Sequence, residues 1–234
     1  MKLLTFNVQH FRNYITRDID FEIFDRVIKK LDPDVIVLNE VFSGNSIFGD
    51  EPKIIADRLN MNYYFGQAIS ISKGDYGNAI LSKYEIINPI TIKIPDPKLK
   101  DENVYYESRV IIKCEINNII ILGTHLGLAK SERALGIETL LSLVTKLNNN
   151  NQKFAILGDF NMTPNDNLLV PLLKVCKDSV NDYCNDVKYY TFPSINPTQK
   201  IDYIFLSNNI DINYYKIINV VASDHFPILV SINN

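Results

Sequence analysis

The stretch Ile156 to Met162, Ile-Leu-Gly-Asp-Phe-Asn-Met, constrains this chain more than any other. An apolar run that stops abruptly at Gly158, Asp159 and Asn161 reads as a buried strand carrying polar groups at its tip. Side chains alternate faces along a strand, so Asp159 and Asn161 are expected to project together while Phe160 turns back into the core. An Asp and an Asn after a strand can equally form a turn or cap a helix. The other strand ends decide between these readings.

Those ends repeat the theme. Leu3 to Val8 is a short apolar strand with Asn7 near its end, and Val35-Ile36-Val37-Leu38 is apolar on both faces, as a central strand requires, before Asn39-Glu40. Ile119 to Leu122 runs on into Gly123-Thr124-His125, and Ile201 to Leu206 carries Asp202. Ser223-Asp224-His225 precedes a last strand, Ile228 to Ile232.

Helices separate these strands. Asp20 is a fitting N-cap for Phe21, Phe24, Val27, Ile28 and Leu31 at helical spacing, and Pro33 forbids continuation. Residues 51–61 read as helical, and a further amphipathic helix starts at Ser131 with Ala134, Ile137, Leu141 and Val144. Residues 168–175 suggest a short one. Val110 to Glu115 pairs with Ile119 to Leu122 around Asn117-Asn118 as a hairpin. Residues 73–78 read as a turn-rich loop before the strand Ala79 to Ser82, and 95–104 as a surface loop. Strands alternating with helices, with polar groups gathered at strand ends, imply one layered α/β (α+β) domain over residues 1–234 whose site lies on a rim of its sheets.

The totals narrow the function. A hydrophobic content of 46% supports a sizeable core, and a net charge of -3 argues against a broad basic surface for nucleic acid. Cys114, Cys176 and Cys184 are an odd number without metal-ligand spacing, so they read as reduced, structural thiols. The start of the chain lacks a signal-peptide pattern, and no run approaches the roughly 18 apolar residues of a membrane span. The expectation is a soluble, cytoplasmic monomer.

The rim collects Asn7, Glu40, His125, Asp159, Asn161, Asp202, Asp224 and His225. Oxygen donors of this kind suit a hard cation, Mg2+ with Mn2+ as a substitute, because Mg2+ needs only one or two carboxylates besides water and substrate oxygens. Carboxylates this close raise one another's pKa values, so a cation or an imidazolium among them is nearly required. Metal-assisted phosphoester hydrolysis is the chemistry that follows.

In chain order stand Phe6-Asn7, Leu38-Asn39-Glu40, Gly77-Asn78-Ala79-Ile80-Leu81-Ser82, Gly123-Thr124-His125-Leu126, Gly158-Asp159-Phe160-Asn161, Ile201-Asp202-Tyr203 and Ser223-Asp224-His225. Through these motifs almost the whole chain resembles the endonuclease/exonuclease/phosphatase superfamily. The resemblance implies a DNase I-like, four-layer α/β/β/α sandwich. It also implies Glu40 as principal metal ligand with Asn7 and Asp224 beside it, directly or through water, and Asp159 as the group that orients or deprotonates the attacking water. Asn161, His125 and His225 would bind phosphoryl oxygens, and Asp202 would fix the His225 tautomer and favour its charged form. Asn78 is expected to border the phosphate and Arg109 to clamp it, although Arg109 can equally pair with a surface acid. His10 reads as surface or loop. Tyr76, Tyr105, Tyr106 and Phe192 either line a substrate mouth or pack locally.

Loops 66–76, 95–107 and 183–199 are expected to choose the substrate. A small or lipid-derived phosphoester is favoured, a DNA or RNA nuclease is the main rival, and a non-catalytic phosphate-binding module is the alternative of another class.

Overall fold

The computed structural model describes the chain apart from residues 48, 72–73, 101, 181–188 and 234. Its elements run β1 (Lys2–Asn7), α1 (Phe21–Leu31), β2 (Val35–Ser43), α2 (Glu51–Leu59), β3 (Asn62–Ile71), β4 (Gly74–Ser82), β5 (Ile87–Lys93), β6 (Val110–Ile116), β7 (Ile119–His125) and α3 (Lys130–Asn149). They continue with β8 (Lys153–Asp159), α4 (Val170–Leu173), β9 (Lys177–Asp178), β10 (Asp202–Leu206), β11 (Ile212–Ile217) and β12 (Ile228–Ile232). The strands form two mixed six-stranded sheets, ordered β11-β12-β1-β2-β4-β3 and β5-β6-β7-β8-β10-β9.

Strand periodicity explains the layering. In β1 and β2, Leu3, Val35 and Val37 face the second sheet and meet Ile121, Ala155, Leu157 and Ile204, whereas Leu4, Ile36 and Leu38 face α1 and α2 and meet Phe24, Ile28 and Ile55. In β8, Ile156 turns the other way from Ala155 and Leu157, towards Ile137, Leu140 and Val144 of α3. Two sheets packed face to face, each covered by helices, give the expected α/β/β/α sandwich. Asp20 caps α1 by accepting from the backbone N–H groups of Glu22 and Ile23, and Asp32 closes it at a φ of 51° just before Pro33.

One topological fact places the site. Each sheet has a central parallel pair, β1 with β2 and β7 with β8, joined over α1 and α3 respectively. Parallel strands finish on the same side, so Asn7 lies opposite Asn39 and His125 opposite Asp159. Antiparallel neighbours begin there: Asp202 of β10 faces Asp159, and the Asp224-His225 loop enters β12, whose Ile228 faces Thr5.

Several sequence boundaries shift. Residues 74–78 are not loop but the first half of β4, and β2 continues to Ser43 instead of stopping at Glu40. Glu40 is the extra residue of a β-bulge, since Asn39 pairs with Asn78 and Val41 with Gly77. Strands β5 and β11 escaped the sequence reading because both are sheet edges; Pro89 in β5 and exposed residues in both blur the apolar signal. Helix α2 stops at Leu59, short of residue 61, where Asn60 turns left-handed at a φ of 53°.

His10 lies in the turn after β1, a loop position as expected, but its half-buried ring stacks on Phe42 with centroids 4.3 Å apart. Burial, aided by Arg12, lowers its pKa to about 4. Cys114 and Cys176 are buried free thiols whose pKa burial pushes up to about 12, whereas Cys184 lies outside the described residues. Among the described residues no helix is long and apolar enough to cross a membrane.

Candidate active site

Asp159 is the hub of the rim. Its Oδ1 accepts from the Asn161 backbone N–H at 2.9 Å, a tight turn that swings the Asn161 side chain back over the strand tip. Its Oδ2 accepts from Asn7 Nδ2 at 3.2 Å and lies 3.6 Å from the Nε2 atoms of both His125 and His225. Phe160 points the other way, buried edge-on against Tyr203 and Phe205. Gly158 allows this close approach: its φ is 150°, and a Cβ there would stand 1.8 Å from the Thr124 carbonyl oxygen.

The two histidines differ in charge. His225 Nδ1 lies 2.9 Å from Asp202 Oδ2, which fixes the ring. Burial opposes a charge on this ring, but Asp202, Asp159 and Asp224 together outweigh it and raise the pKa to about 10. His225 is therefore an imidazolium at neutral pH. His125 Nδ1 lies 3.1 Å from Arg109 Nη1. Arginine has no acceptor, so Nδ1 must accept and the ring proton must sit on Nε2. Burial, Arg109 and His225 hold the His125 pKa well below the usual value, leaving a neutral donor. Asn161 Nδ2 donates to the Leu126 carbonyl at 2.9 Å and stands 3.2 Å from that Nε2, a donor facing a donor, so its second N–H is left for a group that enters the same space.

Asp159 itself is pushed up to about 7, first by burial and then by Asp202, against the pull of His225. Asp159, Asp202 and His225 each offer a ligand atom within 4.8 Å of the others, a group able to hold a metal ion.

A second cluster of oxygens adjoins the hub. Glu40 leaves the bulge at a φ of 60°, and its Oε1 accepts from Asn7 Nδ2 at 2.9 Å. Burial raises its pKa, and the nearby Asp224 raises it further. Asp224 accepts from Ser223 Oγ at 3.0 Å and from Gln9 Nε2 at 3.1 Å. Asn7 turns its nitrogen to Glu40 and Asp159, while its oxygen accepts from the Gln9 backbone N–H at 3.2 Å. Glu40, Asp159, Asp202 and Asp224 thus crowd one place where His225 and Arg109 are the opposing charges, and Arg109 is shared with Glu107 at 3.0 Å. This excess of buried and half-buried carboxylates fits a divalent cation.

Glu40, Arg109, His125, Asp159, Asn161, Asp224 and His225 line one open cleft of about 420 Å³, with Leu128, Phe192 and Ile201 as its apolar wall. Asn78 is not in the cleft lining; its Oδ1 accepts from Asn39 Nδ2 at 2.9 Å in the buried sheet. Of the mouth aromatics, Phe192 sits 4.8 Å from the His225 ring, and Tyr76 packs against both His10 and Phe42 with its hydroxyl towards Glu40.

Sequence reading gave no role to Asn39, Gln9 or Glu107. Asn39 is fully buried: its Nδ2 also donates to the Thr124 carbonyl, and its Oδ1 accepts from the Asp159 backbone N–H at 3.1 Å. It ties the two sheets together beneath the site. Asn39→Ala is expected to strand three buried partners at about 1–3 kcal/mol each. A urea melt losing several kcal/mol supports the brace, and a loss below about 1 kcal/mol counts against it.

The fold and the rim of carboxylates and imidazoles define a phosphoester hydrolase of the layered DNase I type. The chain belongs to the Endonuclease/Exonuclease/phosphatase family, which it matches over residues 4–225. Among solved structures it is similar to a mannosyl-6-phosphatase from Bacteroides thetaiotaomicron VPI-5482, with a TM-score of 0.76, 16% identity and 100% of each chain covered. An AP endonuclease from Archaeoglobus fulgidus matches with a TM-score of 0.73, 19% identity and 100% of each chain covered. The human Nocturnin catalytic domain matches with a TM-score of 0.77 and 17% identity over 100% of this chain and 93% of that one. No curated protein matches the chain.

Proposed function

We propose that this enzyme hydrolyses a small or lipid-derived phosphoester, using a water that Asp159 orients and deprotonates and a divalent cation, Mg2+ or Mn2+, held by Glu40 and Asp224. The observation that carries the reading is the convergence on Asp159 Oδ2 of donors from both sheets, Asn7 from one and His125 from the other, with His225 from the loop entering β12. When bound, the cation would polarise the phosphoryl oxygen and lower the charge between nucleophile and phosphate. Asn7 stands beside that cation, its nitrogen donating to Glu40 and its oxygen keeping one lone pair free after accepting from Gln9. The Asp159–Asp202–His225 group suits a proton better than a metal, because the 2.9 Å contact of His225 Nδ1 with Asp202 is hydrogen-bond distance and the imidazole is already charged.

The chain's own groups divide the work. Asp159 accepts a proton from the water, the neutral His125 Nε2–H and Asn161 Nδ2 donate to a phosphoryl oxygen as negative charge develops, and the His225 imidazolium adds a third donor. Arg109 sets the His125 tautomer and lines the cleft, within reach of a phosphate. Asn78 acts through Asn39 on the position of the Asp159 backbone.

The cleft favours a small substrate. Among the described lining residues Arg109 is the sole Lys or Arg, whereas a grip on a nucleic-acid backbone usually needs several cationic contacts. A volume near 420 Å³ with an apolar wall suits a phosphorylated small molecule or a head group. The likeness in fold to a phosphatase and to an AP endonuclease is compatible with either class.

A panel of aryl phosphodiesters, sugar phosphates, phospholipid head groups and plasmid DNA, each with Mg2+ and with chelator, tests this. Metal-dependent release from small phosphoesters with slow DNA cutting is expected; rapid DNA cleavage that collapses with salt would favour the nuclease, and no release at all a binding module. Glu40→Ala is expected to raise the Mg2+ concentration needed for half-maximal rate by at least tenfold. An unchanged metal dependence in that variant would move the ligand role to another residue.

A further inference from the structure

Gln9, His10 and Phe11 follow Asn7 with φ values of 43°, 60° and 54°, three consecutive left-handed residues with no glycine, Asn or Asp among them. Each such residue costs about 1–2 kcal/mol, and strain of this kind persists only where the surroundings over-determine it. The surroundings here are visible. His10 is stacked on Phe42, and Phe11 is wedged between Phe21 and Phe24 with ring centroids 4.6 and 5.2 Å away. The turn presents Gln9 to the site twice, its backbone N–H donating to Asn7 Oδ1 at 3.2 Å and its Nε2 to Asp224 Oδ2 at 3.1 Å.

That clamp leaves one atom unexplained. Gln9 Oε1, on the same carbon as the bonded nitrogen, is buried and has no hydrogen-bond partner. A buried amide oxygen without a donor carries a desolvation penalty of about 1–3 kcal/mol unless a cation or water meets it. Asn7 Oδ1 already accepts the Gln9 N–H and its nitrogen spans Glu40 and Asp159, whereas nothing meets Gln9 Oε1. Gln9 therefore brings a free neutral oxygen to the cluster, fixed against one of its carboxylates.

We propose that Gln9 Oε1 completes the oxygen shell of the divalent cation, and that the left-handed turn exists to deliver it. This rests on the reading that Glu40 and Asp224 hold that cation. A neutral third oxygen adds coordination without adding charge to a place already crowded with carboxylates. It also explains why an apolar residue at position 9 would not serve: it could fill the space but neither hold Asp224 nor meet the cation.

The test is calorimetric binding of Mn2+ and Mg2+, without substrate, to the wild type, Gln9→Leu, Gln9→Glu and Glu40→Ala, with the thermal midpoint in chelator as a check on folding. Gln9→Leu is expected to raise the Mn2+ Kd about tenfold or more, whereas Gln9→Glu, which adds an anion at the same place, should lower it. Gln9→Glu keeps the question decidable if the leucine variant folds poorly. Equal Kd values for wild type and Gln9→Leu, or no gain in Gln9→Glu, with Glu40→Ala still impaired, would overturn the role of Gln9 alone. No Mn2+ binding by the wild type, or full binding by Glu40→Ala, would overturn the underlying cation site and this inference with it.

Discussion

Asp159→Asn is expected to leave the sheets intact and to lower kcat by about 100- to 10,000-fold, the range a general base contributes. The backbone N–H of residue 159 keeps its bond to Asn39, and Glu40 and Asp224 are untouched, so folding and Mn2+ affinity should change little. What disappears is the anion that three donors surround, and an amide nitrogen in its place would face donors instead of accepting from them. Turnover under conditions where chemistry is rate-limiting, set beside Mn2+ binding, separates the two roles. Near wild-type turnover would remove Asp159 from the proton transfer, and loss of metal binding would make it a ligand.

The second large effect concerns Asp202 and His225 as a unit. Each change to Ala should cost more than tenfold in kcat/KM, and the double variant should be only slightly worse than His225→Ala, because groups acting together are strongly non-additive. The pH profile gives the sign. His225 is raised to about 10, so its charged form is held below that value and lost as pH climbs through it; removing Asp202 lowers that pKa and pulls the alkaline limb down. Asp202 also raises Asp159, which sits at about 7, so the acid limb should move down as well. The whole profile is expected to slide to lower pH. Two losses that multiply independently, with an unmoved profile, would mean that Asp202 does not act through the ring.

The same shifts bear on stability without metal. A His pKa raised above 6.5 stabilises fully below that pH and ceases to do so as pH rises through about 10, and a carboxyl raised from 3.8 to about 7 likewise favours the folded state less as pH rises through 7. Both act in one direction, Asp159 between pH 3.8 and about 7 and His225 between 6.5 and about 10, so the metal-free protein should lose stability as pH rises across that whole range.

What the sequence by itself determined was local and periodic. Strands with apolar residues on both faces announced their burial, Asp20 and Pro33 bounded α1, and polar residues at strand tips marked one rim, because alternation, capping and termination are written in neighbouring residues. Exposed edge strands such as β5 and β11, with weaker alternation, were not legible in that way. The tertiary structure alone decided which atoms meet. Asn39, silent in sequence, ties both sheets to the Asp159 backbone across 120 positions of chain. Arg109, read from sequence as a phosphate clamp or the partner of a surface acid, touches both Glu107 and His125 and so fixes a tautomer. Asn78 lies on a buried strand and turns towards Asn39, since β4 begins earlier than its turn-like residues suggest. Gln9 bonds Asp224, a residue 215 positions away, through a left-handed turn that no propensity favours. Such strain and such pairings depend on contacts between distant segments, and those contacts exist only once the two sheets have closed on each other.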